Sequence, residues 1–287
     1  MGVLLASIFF SSVLTFIFKM FPSYKVDTFS AIIYNYLTCY ILGGLLLGHF
    51  PGIEVVDFNW FGYALFLGAV FIVGFNIVAR TVQEFGITIA TLMQKMSLIL
   101  TVVFALIYFH ESLNIWKVSG LLLALGAIYL VNKPQGNGGS LWAVIGLLPF
   151  LTWTISALIE IVLLFVQKTN LASGSDPYFV TVLFGSAGIL GLLSALPFTK
   201  RRQRLVHPVN ITAGVLLGIP NFFSIYFLMK LIDLPWEGSI IFPVNNVGIM
   251  IFSVIGALVI FREKLNGIQR VGLLFACISL IILGTLS

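Results

Sequence analysis

Residues 86–131 read GITIATLMQKMSLILTVVFALIYFHESLNIWKVSGLLLALGAIYLV. Two apolar runs, 87–109 and 114–131, flank the short polar turn HESLN, and a spanning helix needs ~20 apolar residues. Shifting this stretch by 152 positions overlays it on residues 238–283, with fourteen of 46 positions identical. Most identities are apolar and carry little weight in so biased a chain. The informative pairs are Glu111 with Glu263, Asn114 with Asn266, Gly86 with Gly238 and Gly120 with Gly272. FHESLN thus recurs as FREKLN, each followed by a helix carrying glycine.

Working outward, ten apolar runs are separated by short breaks bearing charge, Pro or Gly. They lie near 2–18, 28–48, 61–79, 87–109, 114–131, 141–166, 177–197, 209–229, 238–261 and 266–285. Hydrophobic residues are 60% of the 287 and charged residues 9%, against about a quarter charged in soluble domains. The expected fold is an all-α integral membrane protein of ten transmembrane helices. Alternating ten-residue segments of a barrel are absent. Residues 1–133 form the first five-helix repeat, 134–140 a linker and hinge, and 141–287 the second repeat. An odd number of spans per copy forces the copies to insert with opposite orientations, the inverted repeat of many secondary transporters. Cys39 and Cys277 fall in apolar runs and read as packed or lipid-facing thiols, with no disulfide framework. The first run lacks a basic region before it, which favours a retained span over a cleaved signal. Gly44 and Gly48 read as a GxxxG helix-packing pair, and Gly120 with Ala124 and Gly272 with Ala276 as small-xxx-small pairs.

The duplicated Glu-bearing turn, the Gly-bearing final helix and ten spans within 287 residues resemble the EamA-like branch of the drug/metabolite transporter superfamily. Pro243 in the ninth span resembles that family's proline, while Thr91 stands at the corresponding position of the first repeat. The resemblance implies a ten-helix basket whose first four helices in each half surround a central cavity. It fixes no substrate.

Basic residues sort by loop. The odd loops hold Lys25, Arg80, Lys133, Lys200, Arg201, Arg202, Arg204, Arg262 and Lys264; the even loops hold Lys168 and Lys230, with Lys117 just inside the fifth span. The positive-inside rule puts the odd loops in the cytoplasm of a cell (inner) membrane protein, with both termini outside. The resemblance implies both termini inside, so the two readings disagree. Lys200, Arg201, Arg202 and Arg204 are expected to anchor topology against anionic headgroups.

Lys95 is the one charge in the run 87–109, about 4.5 Å from its midpoint at 1.5 Å rise per residue. An ammonium at that depth costs a few kcal/mol or more unless an anionic or wet partner meets it. Thr88, Thr91 and Lys95 share one helical face with Gln94 at its edge. Pro149, Trp153, Ser156 and Glu160 form a second stripe, Pro243 with Asn245, Asn246 and Ser253 a third, and Pro220 with Asn221 and Ser224 a fourth. Lys95 corresponds to Val247, Gln94 to Asn246 and Met93 to Asn245, so one repeat offers charge and the other neutral amides. The expected substrate contacts are Lys95, Gln94, Thr91, Asn245, Asn246, Trp153, Asn221, Tyr226 and Asn76. Glu160 and Lys95 are the candidates for proton coupling. A permanent Lys95–Glu160 pair that only fixes packing is the competing reading. Glu111 and Glu263 are expected to favour the N-terminal dipoles of the helices that follow them, or to serve as gates.

No HExxH, GxSxG, P-loop or paired-cysteine motif occurs, so no enzyme, cofactor or metal is expected. The net charge of +5 is local and needs no nucleic acid. The expected function is a secondary active transporter of a small polar metabolite bearing an anionic group (amino acid, carboxylate or phosphorylated compound). It would work by alternating access, with proton coupling as an option, as a monomer or homodimer in the bilayer. The alternatives are an exporter of amphipathic or drug-like compounds, and a non-transporting sensor or assembly subunit.

Overall fold

A computed structural model describes residues 1–85, 87–131, 146–173, 177–260, 262 and 265–285. The linker 134–140 and Glu263 lie outside the described residues, as do the side chains of Thr88, Lys200 and Arg202. The described chain is all-helical: α1 Gly2–Met20, α2 Thr28–Leu47, α3 Phe61–Phe85, α4 Ile87–Met96, α5 Leu98–Tyr108, α6 Ile115–Val131, α7 Leu147–Lys168, α8 Tyr178–Ala195, α9 Thr199–Leu205, α10 Pro208–Ile232, α11 Gly238–Ile260 and α12 Gly267–Thr285. Nine spans among these residues are long and apolar enough to cross a membrane, and α6 is a shorter apolar helix. Ten membrane helices fit this pattern, with α4 and α5 together making the fourth span.

Three boundaries differ from the sequence reading. RTVQEF was expected as a loop, yet α3 runs through it to Phe85. Arg, Gln and Glu are good helix formers and nothing breaks the ladder before Gly86. TKRRQR was also expected as a loop, yet it forms α9. The fourth span is broken at Ser97.

The helices pack as two compact units, and both draw on both halves of the chain. The duplication and the packing therefore divide the sequence differently.

The first unit holds Met1–Val73 and Val162–Leu234. In it α2 packs on α10 and α8, and α1 packs on α10. Close approach depends on glycines of α8 and α10. A Cβ on Gly218 would meet the Asn35 carbonyl at 2.8 Å, and one on Gly188 would meet Leu37 at 3.0 Å. Cys39, fully buried, uses this closeness to place its Sγ 3.3 Å from the Gly218 carbonyl. The Gly44/Gly48 pair is not a helix-packing motif: Gly48 ends α2 at φ +76, and Gly44 faces the Phe50 ring. A left-handed C-cap is the position where Gly is favoured.

At one end of this unit Asp27 caps α2, accepting from the Ser30 N–H (3.1 Å) and hydroxyl (2.7 Å). Arg204 donates to its other oxygen at 2.8 Å. Asn210 closes the cluster, accepting from the Asp27 N–H and donating to the Arg204 carbonyl, both at 2.8 Å. Arg201 lies 4.7 Å over the rings of both Phe29 and Phe198. These two anchor candidates therefore have protein partners.

The second unit holds Gly74–Ile161 and Pro235–Ser287. Its core is Leu92, Leu98, Val102, Ala124, Ile128, Val247 and Met250 with their neighbours. Here the duplication becomes visible as geometry. Gly120 of α6 faces Leu283 of α12, and Gly272 of α12 faces Val131 of α6. Positions 120 and 272 correspond in the repeat, as do 131 and 283. The contact is reciprocal and the two helices run antiparallel. The duplicated asparagines are N-caps: Asn114 accepts from the Lys117 N–H at 2.7 Å and Asn266 from the Gln269 N–H at 2.8 Å. Gln269 returns the favour to the Asn266 N–H at 3.1 Å, a capping box.

Candidate functional site: a lysine, an amide and a carboxylate at membrane depth

The second unit brings three of the expected polar residues together. Lys95 Nζ donates to Asn246 Oδ1 at 2.9 Å. The other end of the same amide donates from Nδ2 to Glu160 Oε1 at 3.1 Å. Thr101 donates to Glu160 Oε2 at 2.7 Å, and the Ser97 hydroxyl lies 3.4 Å from that oxygen. One neutral amide thus links a cation to a carboxylate, with its oxygen toward the first and its nitrogen toward the second. Asn246 is buried, while Lys95 and Glu160 are half-buried.

Each member owes its place to a local feature. Lys95 lies in the last turn of α4, just before the break at Ser97. The Ser97 hydroxyl turns back to the Gln94 carbonyl, competing with the helix ladder as serine does. The Met96 carbonyl accepts from the Trp153 indole N–H at 3.0 Å. Trp153 therefore reads as a support for the broken helix beside Lys95. Asn246 follows Pro243, which lies inside α11 and is buried; such a proline frees a carbonyl one turn back. Glu160 is on α7, which starts at Leu147, so it lies roughly 4 Å from the helix midpoint at 1.5 Å per residue. Pro149 falls in the first turn of α7, where proline leaves the ladder intact.

Of the other expected residues, Thr91, Gln94 and Asn76 are half-buried and Asn245 is buried, all in this unit. Asn221 and Tyr226 belong to α10, in the first unit. Tyr226 stacks on Phe222 at 5.9 Å, and Lys230 Nζ lies 4.5 Å over its ring.

Glu111 does not serve the helix that follows it. It caps α11 instead, accepting from the Gly238 N–H at 2.6 Å and the Ser239 N–H at 2.8 Å. The positive end of α11 is thereby neutralised by a carboxylate 127 residues away. Beside it Lys117, expected near the fifth span's edge, is 1% exposed and ion-paired with Glu237. The same ammonium donates to the Ser112 carbonyl at 2.6 Å. Partial burial pushes the Glu237 carboxyl up. The Lys117 bond and charge, with the Ser112 N–H and hydroxyl, outweigh it and hold the carboxyl below its usual range.

Sequence reading missed Ser97 and Thr101 as partners of Glu160. They are four apart and polar in an otherwise apolar stretch, which is a usable signal. They lie two and six residues beyond Lys95, off its helical face, so a reading by shared faces passed over them.

Residues 1–133 match the model of the EamA-like transporter family. An uncharacterized protein of Haemophilus influenzae is 28% identical over 259 residues, covering 86% of this chain and 84% of its own length. A solved structure described as "Crystal structure of protein" matches with a TM-score of 0.70 at 14% identity, over 99% of this chain and 95% of its own. That likeness shows a shared fold. The EamA-like match over residues 1–133 and the nine apolar spans among the described residues support a multi-pass membrane protein.

Proposed function

We propose that this EamA-like chain is a secondary active transporter of a small polar metabolite with an anionic group, working by alternating access. The observation that carries the reading is the amide bridge between Lys95 and Glu160. An amide oxygen on the ammonium and an amide nitrogen on the carboxylate copy the polarity of a zwitterion. A substrate carboxylate or phosphate would replace the Asn246 oxygen on Lys95, gaining a charge-assisted bond in place of a neutral one. A substrate ammonium, or a proton, would answer Glu160. An amino acid meets both ends, and a carboxylate or phosphorylated compound meets the Lys95 end with a proton on Glu160.

Gln94, Thr91 and Asn245 would hydrogen-bond the substrate body, and Trp153 would hold the α4 break so that Lys95 keeps its aim. The charge bias favours odd loops in the cytoplasm of the inner membrane. The test is a thermal-shift screen of the purified chain against an α-amino acid, a monocarboxylate and a sugar phosphate, on wild type and Lys95→Ala. A ligand that binds the native state alone stabilises it. The expected result is a stabilising ligand whose effect vanishes in Lys95→Ala. An equal shift in both proteins would remove Lys95 from the site.

A further inference from the structure

The first unit carries a cavity of its own. It measures about 360 Å³ and is lined by the rings of His49, Phe58, Trp60, Tyr178 and Phe179, between the end of α2 and the start of α8. The size falls in the range of small-molecule sites. The rings brace one another. Phe58 stacks on Trp60 at 5.0 Å, and Tyr178 meets Phe58 at 5.4 Å, Trp60 at 5.8 Å and His49 at 5.8 Å.

A carboxylate stands behind this aromatic wall. The Tyr178 hydroxyl donates to Glu54 Oε1 at 3.1 Å, and the Gly52 N–H donates to the same oxygen at 2.7 Å. Glu54 itself is solvent-exposed. Residues 48–60 hold two carboxylates, Glu54 and Asp57, with no lysine or arginine; residues 169–178 have no lysine or arginine either. Lys168, just before this segment, donates to the Leu234 carbonyl at 3.4 Å.

Aromatic faces present a negative quadrupole, and quaternary ammonium groups are bound by cages of such rings. A nearby carboxylate adds Coulomb attraction without demanding that the ligand donate a hydrogen bond. We propose that this cavity binds an organic ammonium ion of choline size, at a site separate from Lys95. Phe58, Trp60 and Tyr178 supply the ring faces. Glu54 supplies the charge and, through its bond to the hydroxyl, fixes Tyr178.

The test uses the purified full chain in a maltoside detergent, titrated with choline chloride against matched sodium chloride and against the uncharged carbon isostere of choline. Saturable stabilisation by choline alone is expected. Its apparent Kd should rise about tenfold in Glu54→Gln and in Phe58→Ala, a step worth ~1.4 kcal/mol. Both side chains are exposed, so folding is expected to persist in both variants. Lys95→Ala should leave choline binding unchanged, which separates this site from the proposed transport site. Equal stabilisation by the isostere, or an unchanged Kd in both variants, would overturn the proposal. Repeating the titration in phosphatidylethanolamine/phosphatidylglycerol vesicles and in phosphatidylcholine vesicles identifies the source. Binding in the first that is competed away in the second means lipid headgroups use the same cage, and binding in both means the free cation is the ligand.

Discussion

At the residue scale the site is a problem of buried charge. A lysine near the middle of a bilayer helix costs about 2.5–3.5 kcal/mol on insertion scales, and a single amide bond offsets part of that. Glu160 is better provided for, with the Thr101 hydroxyl and the Asn246 amide on its two oxygens. Removing the Thr101 hydroxyl as Thr101→Val is expected to cost about 1.5–3 kcal/mol, the range for hydrogen bonds to charged groups. The same change in a Glu160→Gln background should cost less than half of that, read as a double-mutant cycle of thermal stability. Equal costs in both backgrounds would mean the hydroxyl does not act through the carboxylate. Lys95, Asn246 and Glu160 were legible in the sequence because each interrupts an apolar run. Ser97 and Thr101 were not, because they lie off the helical face of Lys95 and meet Glu160 about 60 residues along the chain.

At the element scale the start of α11 is held by long-range polar contacts. Glu111→Ala removes the acceptor of two N–H groups, and the expected loss is about 1–2 kcal/mol, as for other helix caps. A lowered Tm measures it, and Glu111→Gln should recover part of the loss. The Lys117–Glu237 pair adds a pH dependence with a definite sign. The Glu237 carboxyl is held below its usual range in the fold, so its stabilisation is fully present above the unfolded carboxylate pKa of about 4.3. It is lost as pH falls through the lower folded value. The Tm gap between wild type and Glu237→Gln should be open at pH 7 and should close as the pH drops below about 4. A gap that widened on acidification would contradict the assignment. The duplication marked Glu111 and Asn114 as important but not what they touch. Asn114 caps its own helix, a local rule that sequence reveals; Glu111 caps one far along the chain, which no local rule reveals.

At the scale of the whole molecule the duplicated sequence becomes reciprocal packing between α6 and α12. The two glycine contacts are equivalent by the repeat but not in tolerance. A Cβ on Gly120 would meet the Leu283 side chain at 2.7 Å, whereas one on Gly272 would meet the Val131 backbone nitrogen at 2.9 Å. A side chain can swing aside and a helix backbone cannot. Gly272→Ala is therefore expected to destabilise by about 1–3 kcal/mol, the range for overpacking, and Gly120→Ala by clearly less. Equal Tm losses would mean the helices separate as rigid bodies. The all-helical class and the apolar spans among the described residues were legible because run length survives any packing. The grouping of elements was not, since α3 and α7 each contribute to both units.

The most direct test of the central claim is counterflow of labelled substrate in vesicles reconstituted with wild type, Lys95→Ala and Glu160→Gln, using a ligand found by thermal shift. The account predicts counterflow in wild type, none in Lys95→Ala, and for Glu160→Gln counterflow that no longer responds to an imposed pH gradient. Wild-type rates in Lys95→Ala would contradict it.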